Sequence, residues 1–294
     1  MDSRVEAFLA EVARSPQLDF DVDRFRLALR DYLEHAGPPR QIGMVRDVRP
    51  ADSPALRLYR AVDAEDQPVL VYLHGGAFIR GDLAAADVLC REVAWRGPCV
   101  VVSVDYRLAP EFPFPAALDD VRAAVEWTRA DIASYGGDPG RIHLGGDSAG
   151  ANIVAAQRLP GIRSRILLSG LYDLADDLPT QVEDLDVTGD QARMDWVAGL
   201  YAGTASRADP RLSPLRQPDL AGEPPTLLVS SGLDPFVLQN RLYADRLREA
   251  GVAVDYVEYP GLPHGFAHLG AFFAETHELY ERVARRVADA SVGP

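Results

Sequence analysis

Two short, nearly unbroken apolar runs constrain this chain most: residues 68–73 (Pro-Val-Leu-Val-Tyr-Leu) and 99–104 (Cys-Val-Val-Val-Ser-Val). Neither alternates polar with apolar residues. Such a run is expected of a strand buried on both faces, the situation in a parallel sheet covered by helices on either side. Further strands are predicted at 45–48, 56–62, 141–144, 165–168, 226–231 and 252–259, and helices at 84–95, 115–133, 192–201, 236–250 and 266–287. Strands alternating with helices of this length imply right-handed crossovers and a mostly parallel sheet. Residues 1–40 read differently. Val5, Phe8, Leu9 and Val12, then Phe25, Leu27, Leu29, Tyr32 and Leu33, recur at helical spacing until Gly37-Pro38-Pro39. A helical cap segment over 1–40 and a catalytic domain over 41–294 are expected. Residues 174–208 break the alternation and are expected to be a second cap insertion.

The chain has 294 residues, 47% of them hydrophobic, enough for one large α/β domain. Its 44 acidic and 30 basic residues give a net charge of −14. That argues against nucleic acid and against anionic membranes as partners, since both need a basic face. Charges occupy the N-terminus where a signal peptide would carry its apolar core, and no apolar run approaches a membrane span. Cys90 and Cys99 fall in a predicted helix and a predicted strand, so buried free thiols and a cytoplasmic location are expected. The six histidines show no metal-ligand spacing, and neither a metal nor another cofactor is expected.

In a parallel sheet the ligand site lies at the C-terminal strand ends. Gly146-Asp147-Ser148-Ala149-Gly150 follows one strand and opens a helix, the spacing of a nucleophile elbow. A serine on so sharp a turn needs neighbours without side chains two positions away, and Gly146 and Gly150 provide them. Asp234 closes another strand, and His264 follows the next, in a loop flanked by Gly261 and Gly265. If those two strands are neighbours, Asp234 and His264 start about 5 Å apart. The chemistry is then acyl transfer. His264 would take the Ser148 proton, and Asp234 would hold the imidazole tautomer. Gly75 and Gly76, after the strand at 68–73, would join the Ala149 N–H in holding a developing oxyanion. His74 is expected to shape that loop rather than act as a base. His268 is the nearest competitor to His264, but falls inside the predicted helix 266–287. Asp147 receives no catalytic role. Tyr106, Arg107 and Glu111 are expected to support the loop. Phe78, Ile79 and Trp196 are the expected walls of the substrate pocket.

Taken together, His74-Gly75-Gly76-Ala77-Phe78, Asp105-Tyr106-Arg107-Leu108-Ala109-Pro110-Glu111, Gly146-Asp147-Ser148-Ala149-Gly150, Leu233-Asp234-Pro235 and His264-Gly265-Phe266 resemble the hormone-sensitive-lipase-like family of α/β-hydrolases. The resemblance covers about 42–290. It implies an α/β-hydrolase fold with a sheet of about eight strands and a helical cap. It also implies hydrolysis of carboxylic esters with short acyl chains, with Ser148, Asp234 and His264 as the triad and Gly75, Gly76 and Ala149 as the oxyanion hole. Four departures are visible. Ala77 stands where the family often has a third glycine, Phe112 where it often has histidine, and Phe236-Val237-Leu238-Gln239 where it commonly has acidic residues. Residues 168–174 look instead like arylformamidases.

Three readings follow. The first is a serine carboxylesterase acting on a small-molecule ester. The second is an amidase, deacetylase or arylformamidase-like hydrolase using the same triad. The third is a non-catalytic ligand receptor on the same fold, resembling plant hormone receptors that lack the histidine this chain has at 264. An exposed last strand would permit edge pairing into a homodimer.

Overall fold

The computed structural model describes residues 4–6, 20–175 and 191–289. The expected helical residues Phe8, Leu9 and Val12, and residues 176–190 of the insertion expected at 174–208, lie outside that set. The sheet has eight strands: β1 (Met44–Val48), β2 (Leu56–Arg60), β3 (Gln67–Leu73), β4 (Val100–Val104), β5 (Gly137–Asp147), β6 (Ile162–Leu168), β7 (Thr226–Leu233) and β8 (Val254–Pro263). Their order across the sheet is β1-β2-β4-β3-β5-β6-β7-β8. Every pairing from β4 through β3 to β8 is parallel, and only β1–β2 and β2–β4 are antiparallel.

The apolar runs behave as their composition requires. All seven residues of β3 and all five of β4 are buried. Each Val or Leu taken fully out of water contributes about 1.5–3 kcal/mol, so the sheet centre contributes strongly to stability. Its two faces belong to separate apolar clusters, one containing Val69, Val71, Val102 and Leu144, the other Leu70, Tyr72, Val101 and Ile166. That is the alternation of side chains along a strand, with apolar partners on both sides.

Seven helices are described: α1 (Val22–Leu33), α2 (Asp87–Arg96), α3 (Ala116–Asp131), α4 (Ala149–Ala155), α5 (Gln191–Ala202), α6 (Val237–Glu249) and α7 (Ala274–Ala288). In α7, Leu279, Tyr280, Val283, Ala284 and Val287 form the buried stripe that packs on α2. The continuous helix expected at 266–287 is broken. A 3-10 turn, Phe266–His268, is followed by a non-helical stretch, and α7 begins only at Ala274. The Phe266 and Ala267 carbonyls, which a continuing helix would need, instead accept the Thr276 and Tyr280 hydroxyls at 2.7 and 2.8 Å. Leu269 and Phe273 fill the core between.

Candidate active site

Ser148 stands between the end of β5 and the start of α4 with φ 51° and ψ −116°. A non-glycine residue in that region carries backbone strain of about 1–3 kcal/mol. The turn is held because the Ser148 N–H donates to the Leu168 carbonyl at the end of β6, at 2.8 Å. Neighbouring backbone leaves no room for side chains beside it. A Cβ on Gly150 would lie 2.2 Å from the Leu73 carbonyl oxygen, and one on Gly146 would lie 2.6 Å from Gly150 C. The steric reason for both glycines is therefore visible in the packing.

Asp234 and His264 directly follow β7 and β8, which are parallel neighbours. His264 Nδ1 lies 2.8 Å from Asp234 Oδ2, and His264 Nε2 lies 3.0 Å from Ser148 Oγ. The other Asp234 oxygen accepts the Phe236 N–H at 2.8 Å. A carboxylate only accepts, so Nδ1 carries the proton and Nε2 is left as the acceptor for the serine hydroxyl. The Phe236 ring meets the imidazole edge-on at 5.3 Å. Burial pushes the His264 pKa down, but the charge and hydrogen bond of Asp234 outweigh it, and the net direction is upward.

The oxyanion loop differs from expectation. The Gly75 N–H donates to Asp147 Oδ1 at 3.0 Å. It is committed and cannot also serve an oxyanion. The next two residues line the cavity beside it: Gly76 at φ 130° and Ala77 at φ 57°. Among the described residues neither of their N–H groups has an acceptor, and the Gly76 carbonyl takes the N–H groups of Ile79 and Arg80. Ala149 is the first residue of α4, so its N–H has no intrahelical partner. The available donors are thus Gly76, Ala77 and Ala149. Ala77 was hidden in the sequence because a methyl group suggests shape, while the backbone supplies the donor.

His74 is buried, its ring stacked on Tyr106 at 4.5 Å with Nδ1 2.7 Å from the Gly75 carbonyl oxygen. Burial lowers its pKa. The Tyr106 hydroxyl donates to the His74 carbonyl at 2.8 Å. Arg107 instead pairs with the buried Asp120, and Glu111 with Arg26 of α1.

Above Ser148 lies a cavity of about 270 Å³. Its apolar walls are Phe25 and Leu29 of α1, Met194 and Val197 of α5, Leu171 and Phe236. The expected walls are elsewhere. Phe78 and Ile79 are buried in the core, Phe78 stacked on Tyr201 at 3.8 Å. The positive φ of Phe78, 64°, accompanies this inward turn. Trp196 packs edge-on against Phe20 and Phe25, behind the wall rather than in it. Periodicity places Trp196 on a helix but not on a face, and its neighbours two and one positions away, Met194 and Val197, take the cavity side. Among the described residues no cluster of His, Cys, Asp or Glu could hold a metal ion, and no helix is long and apolar enough to cross a membrane.

Residues 70–268 match a family model described as the alpha/beta hydrolase fold. The carboxylic ester hydrolase LipN of Mycobacterium tuberculosis is 35% identical over 285 residues, covering 89% of this chain and 76% of LipN. An ethyl acetate hydrolase of Pseudomonas putida is 34% identical over 238 residues, 76% of this chain and 74% of that protein. The gibberellin receptor GID1C of Arabidopsis thaliana is 35% identical over 238 residues, 73% of this chain and 69% of the receptor. Among solved structures, the ester hydrolase EH1AB1 from the metagenome of Lake Arreo, in complex with a bipyridine phosphonate derivative, superposes with a TM-score of 0.87 at 31% identity, covering 97% of each chain.

Proposed function

The chain belongs to the α/β-hydrolase fold family, in its hormone-sensitive-lipase-like branch, and from that premise we propose that it is a carboxylesterase cleaving small esters through an acyl-enzyme on Ser148. The observation that carries the proposal is the continuous line Asp234 Oδ2, His264 Nδ1, His264 Nε2, Ser148 Oγ, at 2.8 and 3.0 Å. In the first step the Ser148 oxygen attacks the ester carbonyl and His264 Nε2 takes its proton. The imidazolium formed is stabilised by Asp234. The carbonyl oxygen becomes negative and is held by the Gly76, Ala77 and Ala149 N–H groups. Collapse breaks the bond to the alcohol, which leaves with the proton from His264. Water, deprotonated by the same nitrogen, then attacks the acyl-enzyme and frees the acid.

The cavity supports a small, uncharged acyl or alcohol group. About 270 Å³ bounded by Phe25, Leu29, Met194, Val197 and Leu171 is apolar and modest in size. We assign α1 and α5 as the cap, because both contribute walls. The buried free thiols Cys90 and Cys99 support a reducing, cytoplasmic setting, and β8, at the sheet edge, is the strand through which a homodimer would form. A receptor reading is disfavoured by His264 itself, which is in reach of the serine. Turnover of a chromogenic short-chain ester by wild type and Ser148→Ala tests the proposal. Loss of at least about 10⁴-fold with folding intact is expected, and wild-type turnover by the variant would overturn it. Matched ester and anilide substrates separate an esterase from an amidase.

A further inference from the structure

Asp147 precedes Ser148 and is buried. Its Oδ1 accepts the Tyr72 hydroxyl at 2.8 Å and the Gly75 N–H at 3.0 Å. Its Oδ2 lies 3.0 Å from Nε2 of His268, which is also buried and lines the cavity. Burial pushes the Asp147 carboxyl up, but the His268 charge and hydrogen bond and the Tyr72 hydroxyl bring it below the ordinary range, so it is ionised and accepts only. His268 Nε2 therefore carries a proton and donates it. The carboxylate is fixed from three directions, and one of the three groups it fixes in return is the oxyanion loop.

The fit is tight. A Cβ on Gly75 would lie 2.3 Å from Asp147 Oδ2. A carboxylate free to rotate would release the Gly75 N–H, and the Gly76 and Ala77 amides would move with it. His268 is itself held by α7. The Thr276 and Tyr280 hydroxyls grip the carbonyls of Phe266 and Ala267, and the His268 N–H donates to Gly265 at 2.9 Å. The turn that follows the base His264 thus also supports the oxyanion donors.

Resting on the esterase reading, we propose that His268 is a positioning residue for the oxyanion hole. It acts through Asp147, orienting the carboxylate that holds Gly75 and so the donors at Gly76 and Ala77. Such a role acts on the transition state. Losing one oxyanion donor costs about 10²–10³ in kcat, and misplacing a donor costs less, about 10–100-fold.

The test compares wild type, His268→Leu, His268→Gln, Tyr72→Phe and Ser148→Ala with one short-chain ester, together with the rate of Ser148 labelling by a fluorophosphonate. His268→Leu is expected to lose about 10–100-fold in kcat and in labelling rate, with KM within about 3-fold. His268→Gln, whose amide N–H can donate to the same oxygen, is expected to recover to within about 3-fold of wild type. Tyr72→Phe, which removes a bond to the same carboxylate, is expected to show the same split on a smaller scale, and carries the test alone should His268→Leu not fold. Wild-type kcat in His268→Leu, a loss confined to KM, or no recovery in His268→Gln would overturn the inference. Ser148→Ala keeps the two proposals apart. If it is inactive while His268→Leu is fully active, only the positioning role fails. If Ser148→Ala turns over, the esterase reading fails first.

Discussion

Arg26 of α1 donates to both oxygens of Glu111 in the loop after β4, Nη1 to Oε1 at 2.8 Å and Nη2 to Oε2 at 2.6 Å. The same guanidinium reaches the Ile79 carbonyl at 2.8 Å and the Ala109 carbonyl at 3.2 Å. One side chain therefore ties the helix bearing Phe25 and Leu29 to the segment that follows the oxyanion loop.

Replacing Arg26 by Ala is expected to raise KM several-fold, because Phe25 and Leu29 lose their anchor, while kcat changes less. Glu111→Gln should be milder, since the ion pair is half-exposed and such pairs contribute about 0–1 kcal/mol. Its hydrogen bond to Arg26 holds the Glu111 carboxyl down at about 2. A depressed carboxyl contributes fully above its ordinary value near 4.5 and loses that contribution as pH falls toward 2. Thermal denaturation of wild type and Glu111→Gln at pH 6 and pH 3 should show a smaller difference at the lower pH, with part of it remaining because pH 3 is still above the folded value.

Activity should follow the protonation of His264. Its pKa lies above the ordinary 6.5, and only the neutral ring can take the serine proton. The kcat/KM profile is expected to rise with pH through a single step above 6.5 and then level. For stability the sign is opposite. The raised pKa favours the folded state below the ordinary value, and this is lost as pH rises through the folded value. Asp234→Asn removes the main cause of the rise and leaves the wrong tautomer. A loss of about 10⁴ in kcat is expected, measured by steady-state kinetics.

Cavity walls should set acyl length. Met194→Ala opens the space above Ser148, and Val197→Phe narrows it. A panel of esters graded from two to eight carbons is expected to show a shift of about 10-fold in relative kcat/KM toward longer chains in the first variant and toward shorter chains in the second. Phe78→Leu, by contrast, should lower stability without changing the ranking, because Phe78 stacks on Tyr201 inside the core.

Gly150→Ala brings a methyl group against the Leu73 carbonyl, with 2.2 Å between them and backbone on both sides. Either the elbow or β3 must shift. A destabilisation of about 1–3 kcal/mol is expected, with activity falling further than stability because Ser148 sits on that turn. Chemical denaturation with parallel assays checks both.

Much of this site can be read along the chain. Ser148, Asp234 and His264 each follow a strand that composition and pattern identify, and parallel strands joined by helices must end on the same edge. What could not be read is contact between positions far apart. Gly75 and Asp147 are 72 residues apart and meet only because β3 and β5 are neighbours. That contact removes Gly75 from the oxyanion donors and admits Ala77. His268 was lost inside an expected helix because helical spacing continues through it, while the Thr276 and Tyr280 hydroxyls that end the turn act from the next helix.

Local sequence alone determined the order of strands and helices, the strained serine turn and the edge where the chemistry collects, because these depend on side-chain period, glycine and chain direction. Tertiary structure alone decided which backbone N–H groups are free, which apolar side chains face the cavity and what holds the oxyanion loop. Each of those is a competition for one hydrogen-bonding group or one packing site, and the winner comes from a distant part of the chain.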